Sequence, residues 1–125
     1  MKNFIIIIGV FICTHTLADV RAFTCITEKH TIFIDKIDSN NYRYRSWNKP
    51  KNSDSKPDME LKSKDIKVEG TGACRYTIFS FKTGKVEFLV DDGVSCVETA
   101  PPENAIGNLT VLINEEVKSS YFCFK

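Results

Sequence analysis

The chain is short of the residues on which catalysis and metal binding draw. Only two histidines occur, His15 and His30, and no Cys-x-x-Cys pair is present to open a zinc knuckle. Gly70-Thr71-Gly72 lacks the third glycine and following helix of a phosphate cradle. Asp91-Asp92-Gly93 lacks the alternating acids and closing glutamate of a calcium loop. Charge of one sign is missing too: 17 Lys plus Arg face 16 Asp plus Glu, a formal charge of +1. That balance gives no general attraction to nucleic acid or to an anionic membrane. No apolar run reaches the roughly 20 residues of a spanning helix, and helical periodicity is almost absent. No catalytic residue, metal ligand or cofactor motif is therefore assigned.

What the sequence does hold begins at its start. A basic Met1-Lys2-Asn3, an apolar run over residues 4–13 and small residues around Thr16-Leu17-Ala18 have the order of a secretory signal peptide. Removal after Ala18 is predicted, leaving residues 19–125 as one domain of 107 residues with 16 basic and 16 acidic groups. Cys13 follows Ile12 rather than the small residue that lipoprotein processing needs, so no lipid anchor is expected.

Cys25, Cys74, Cys96 and Cys123 then remain, an even set in a chain addressed to an oxidising space, which reads as two disulfides. Three pairings are open. Cys74 opens one strand of a predicted hairpin and Cys96 follows the other, which favours Cys74 with Cys96 and leaves Cys25 with Cys123 to tie the first strand to the last. Such closures are worth about 3 and 5 kcal/mol on loop entropy.

Short runs rich in Val, Ile, Phe, Tyr and Thr, parted by Asn, Asp, Gly and Pro, predict an all-β antiparallel domain, a barrel or sandwich of about eight strands. The predicted strands cover residues 20–27, 31–37, 42–47, 59–62, 66–69, 73–81, 86–91, 94–98, 109–113 and 119–125. In 86–91, Val86, Phe88 and Val90 share one face and leave Glu87 and Asp91 to water. Any helix is confined to a turn near residues 103–106 or 59–65. Residues 48–58 are polar, hold two prolines and read as an exposed loop. His30, beside Glu28 and Lys29, reads as a solvated turn residue.

Charge is unevenly placed, at net +6 over residues 43–85 and net −5 over residues 86–125. Within the basic part, Tyr42-Arg43-Tyr44-Arg45-Ser46-Trp47 has strand alternation. It puts the tyrosines on one face and Arg43, Arg45 and Trp47 on the other. A row of Arg with Trp suits a protein or glycan contact. With Lys49 and Lys51 of the next loop it forms the predicted binding surface, the competing reading being that Trp47 is core and the arginines cover its edge. Asn108-Leu109-Thr110 fits the glycosylation acceptor pattern.

Phe23-Thr24-Cys25, the strand Tyr42-Arg43-Tyr44, Gly70-Thr71-Gly72-Ala73-Cys74, Pro101-Pro102, Gly107-Asn108-Leu109-Thr110-Val111 and a closing Cys123 together resemble the small exported β-proteins of Gram-negative bacteria. The layout is also similar to periplasmic lysozyme inhibitors of the MliC type. That resemblance implies a disulfide-tied β-barrel. Gly72-Ala73-Cys74-Arg75-Tyr76 is a loose counterpart of the inhibitors' Ser-Gly-x-x-Tyr loop, their second inhibitory motif has no counterpart, and no inhibitory residues carry over. The sequence thus reads as a periplasmic or secreted binding protein, an inhibitor or immunity-type protein acting on a hydrolase or toxin. Its partner would be another protein or a cell-envelope glycan, not nucleic acid, with no membrane anchor once the signal is removed. The alternative is a structural or envelope-associated protein.

Overall fold

The computed structural model describes Gly9 and residues 19–125, so the predicted signal segment, Gly9 apart, lies outside the described residues. Nine strands follow: β1 (Val20–Ile26), β2 (His30–Lys36), β3 (Tyr42–Asn48), β4 (Met59–Ser63), β5 (Ile66–Glu69), β6 (Tyr76–Thr83), β7 (Val86–Asp91), β8 (Ala105–Ile113) and β9 (Glu116–Phe124). All belong to one antiparallel sheet in the order β4-β3-β2-β1-β9-β8-β7-β6-β5. The two edge strands, β4 and β5, are consecutive in the chain and separated only by Lys64 and Asp65. The sheet must therefore roll until its edges meet. Ser80 N–H donates to Asp65 O at 3.0 Å, extending the β5–β6 pairing into that link, and Tyr42–Phe79, Tyr44–Phe81 and Tyr44–Phe88 ring contacts at 5.3–5.5 Å cross the interior.

Period-two alternation decides what fills it. Cys25, Ile32, Ile34, Tyr44, Phe79, Phe81, Val90, Leu109 and Cys123 form the buried core, with Phe23, Tyr42, Met59, Leu61 and Phe88 packed against it. The β1–β9 junction has a single registered pair, Ile26 with Phe124. Cys25–Cys123 spans this hydrogen-bond-poor seam, and Cys74–Cys96 pins the loop after β7 to the short 3₁₀ turn Gly72–Cys74. Both preferred pairings are thus the ones formed. Two disulfides mark a non-cytoplasmic, oxidising compartment, and no described helix is long and apolar enough to cross a membrane.

Several elements differ from expectation. The predicted strand over residues 94–98 is loop: both edges of β7 are already paired, with β6 and β8, so nothing is left for it to join. β6 starts at Tyr76 rather than residue 73, because the 3₁₀ turn takes its place. β8 begins at Ala105, turning the suspected helical turn near residues 103–106 into the start of a strand. There Gly107 is required by close approach, since a Cβ would run into the Asp91 carbonyl oxygen and come within 2.9 Å of Phe23. Gly84, at φ +59°, opens the two-residue β6–β7 hairpin loop, a conformation that glycine adopts at little cost.

Candidate functional site

β1, β2 and β3 lie side by side with Arg21 opposite Asp35 and Asp35 opposite Arg43. Arg21 reaches the outer face through an irregularity. It and Phe23 are two apart and would share a face in a regular strand, but the register shifts between them. Phe23 thereby enters the core while Arg21 joins the outer row.

Asp35, its side chain only 3% exposed, is the hub of that row. It accepts from Arg21 Nε at 2.6 Å, from an Arg45 guanidinium nitrogen at 2.6 Å and from Arg43 at 3.3 Å. Burial alone would raise its pKa. The bonds from Arg21 and Arg45, supported by the Arg21 charge and the Arg43 bond, overcome that and hold it below the ordinary carboxylate value. The arginines also lie on aromatic faces: Arg21 stands 3.6 Å over the Phe33 ring and Arg45 5.4 Å from Trp47. Arg43 additionally pairs with Asp19 and approaches Glu60 at 3.7 Å.

Trp47 closes the far side. It is buried on the outer face, edge-on to Phe33 at 5.1 Å, and its indole N–H donates to Ser55 O at 2.8 Å. Its cover is the polar segment 49–58. That segment is therefore a folded lid rather than a free loop, with Asp58 taking the Asn48 N–H at 2.7 Å and the Lys51 ammonium.

The predicted contact residues Arg43, Arg45 and Trp47 do come together, but with unequal parts. Arg43 and Arg45, with side chains 22% and 25% exposed, present guanidinium surface. Trp47 supports them from beneath and offers no surface of its own. Lys49 and Lys51 are exposed on the lid, Lys51 paired with Asp58. Arg21, Phe33 and Asp35 were not singled out from the sequence. The outward positions of residues 31–35 carry a signal for the last two, because Asp35 sits one strand away from Arg43.

Other sequence features resolve differently. His30 opens β2 instead of lying free in a turn, because Thr27 Oγ1 accepts the Lys29 and His30 N–H groups and closes the turn before it. Its ring meets Tyr121 edge-on at 5.8 Å, and burial, then the Lys29 charge, lowers its pKa. Asp91 is half-buried rather than fully solvated: it accepts from Asn108 at 3.1 Å and from the Gly93 N–H at 2.9 Å, and burial raises its pKa. The same contacts engage the Asn108 amide of the glycosylation pattern, which also donates to Gly93 O at 3.1 Å. Arg75 and Tyr76, in the loose counterpart of the inhibitor loop, follow the 3₁₀ turn, with the Tyr76 hydroxyl donating to Glu69.

Taken as a unit, the outer face of β1–β3 is a plate of three pre-positioned guanidiniums around one buried carboxylate. It can bind anionic groups without first ordering long side chains. No protein-family model, curated protein or solved structure matches the chain.

Proposed function

We propose that this chain is a periplasmic or secreted binding protein that engages an acidic protein surface through the Arg21–Arg43–Arg45 plate and the lysines of the adjoining lid. The observation that carries the reading is the convergence of three arginines on the buried Asp35. Asp35, Asp19 and Glu60 balance the charge of the three arginines, but Arg21 and Arg45 lie fixed on Phe33 and Trp47 with N–H groups beyond those bonded to Asp35, available to a partner's carboxylates as forked donors. A hydrolase or toxin with an acidic face, held inactive by the bound chain, is the partner class that fits.

The test is capture from periplasmic and secreted extracts, followed by calorimetric titration of the isolated partner. A one-to-one complex is expected, tens of fold weaker with Arg43→Ala plus Arg45→Ala and weaker again in high salt. A Lys pair at the same positions keeps charge over Asp35 and controls for folding. Unchanged affinity in the alanine pair, or the repeated absence of any saturable partner, overturns the reading. The second of these results favours a structural role in the envelope.

A further inference from the structure

At the end of the roll where β2 begins and β3 ends, the inward side chains leave a cavity of about 360 Å³. Tyr44, Phe88, Tyr121, Leu109 and Met59 provide its apolar wall and His30 part of its rim. Tyr44 and Phe88 stack at 5.3 Å, and His30 and Tyr121 meet edge-on at 5.8 Å, so flat surfaces line two sides. Two other concavities are of another kind. One lies at the β6–β7 and β8–β9 tips among Lys82, Lys85, Glu87 and Glu115, and another is walled by loop residues beside Cys96.

The polar groups around the first cavity narrow the ligand class. Ser46 is buried in its wall and Ser119 adds a second hydroxyl, while His30 Nδ1 is buried with no hydrogen-bond partner. Burial pushes the Tyr44 hydroxyl up to about 12, with the Ser46 hydrogen bond working against it, and burial lowers His30, so both are neutral near pH 7. The one carboxylate at the mouth, Asp58, is already committed to Lys51 and to the Asn48 N–H. The wall thus offers flat apolar contact and a few hydrogen bonds but no free charge. Its volume lies at the small end of the range for ligand sites, which barrel mouths often provide.

We propose that this mouth binds a small neutral ring compound with a single hydroxyl. The ring lies between the Tyr44–Phe88 stack and Tyr121, and the hydroxyl meets Ser46, Ser119 or the His30 imidazole. The site is separate from the arginine plate and does not depend on the function proposed for it.

Met59 is the only methionine outside residues 1–18, so a ¹³C-methyl-methionine label on the disulfide-bonded protein gives one reporter in the wall. The probe is 2-naphthol. Its ring current should shift the Met59 methyl saturably, with a Kd on the order of 0.1 mM, and naphthalene-2-sulfonate should bind at least about tenfold more weakly. Ser119→Trp, placing an indole in the mouth, should abolish the shift while leaving the melting temperature near wild type. A Met59 methyl that does not move up to millimolar 2-naphthol overturns the proposal. So does a shift that persists in a folded Ser119→Trp variant, or sulfonate binding as tight as that of naphthol. If Ser119→Trp fails to fold, the wild-type titrations with the two probes decide.

Discussion

Replacing Asp35 by Asn keeps the shape of the hub and one acceptor oxygen but removes its charge. Of the two 2.6 Å bonds, from Arg21 and Arg45 to different carboxylate oxygens, one then keeps only its charged donor and the other loses its acceptor to an amide NH2. That is a loss of about 1–1.5 kcal/mol each, to which the mutual repulsion of three guanidiniums adds. Solvent offsets part of it, because the arginine side chains are 22–40% exposed and recover water. A net cost of about 2–3 kcal/mol is expected, or a melting temperature lower by about 10 °C for a domain of this size. The sign of the pH dependence follows from Asp35 having a folded pKa below its ordinary value. Its contribution is fully present above an unfolded pKa of about 3.9 and fades as pH falls toward the lower folded pKa, at about 1.4 kcal/mol per pH unit. Denaturant unfolding of wild type and Asp35→Asn, disulfides intact, should show a constant gap from pH 7 to 5 that closes below pH 4. A gap under about 0.5 kcal/mol at pH 7, or one unchanged between pH 5 and pH 2, would refute the hub.

The two disulfides close loops of different length, with sequence separations of 98 and 22 residues. Removing Cys25–Cys123 by paired alanines should therefore cost about 5 kcal/mol and removing Cys74–Cys96 about 3, read as urea midpoints with the remaining bond intact. Gly107→Ala should cost more than about 3 kcal/mol, since the clash is with the backbone of Asp91 and can be relieved only by moving β7 from β8. Trp47, the only tryptophan, should emit as a buried indole and resist iodide quenching. Trp47→Phe should cost about 1–2 kcal/mol through the lost bond to Ser55, and Trp47→Ala about 3 kcal/mol or more.

Much of the framework was legible because it depends on neighbours in sequence. Gly84-Lys85 between two apolar runs announces the β6–β7 hairpin, and the alternation of residues 42–47 sorts tyrosines from arginines as the fold does. Cysteines placed just outside that hairpin were enough to favour the Cys74–Cys96 pairing. What escaped depends on residues distant in sequence. Gly107 and Asn108 look like breakers, yet they lie within β8, one because Phe23 and Asp91 press on it and the other because Asp91 accepts its amide. The lid over residues 49–58 is polar in composition, and its order comes from an indole beneath it and from the Asp58 carboxylate. The arginines were visible; the hub was not, because a single Asp in an apolar strand shows its importance only when flanking strands bring guanidiniums to it.

That arrangement also governs how the proposed contact surface can be tested. Core and plate occupy opposite faces of the same strands, so Tyr44 remains in the interior while Arg43 and Arg45 on either side of it are exchanged. Removing both arginines leaves Asp35 one strong partner, Arg21, and a position beneath side chains that water can replace, so the roll should persist. Removing Asp35 does the reverse: the charge of the plate rises while its geometry dissolves. A partner that reads charge alone would bind Asp35→Asn as well as or better than wild type. One that reads fixed guanidinium forks would bind it worse at equal ionic strength. The plate is proposed as the second kind, because Asp35 holds all three arginines, with Phe33 and Trp47 beneath Arg21 and Arg45, before any partner arrives. The ratio of the two affinities, measured on folded protein below the melting temperature of the variant, separates these cases.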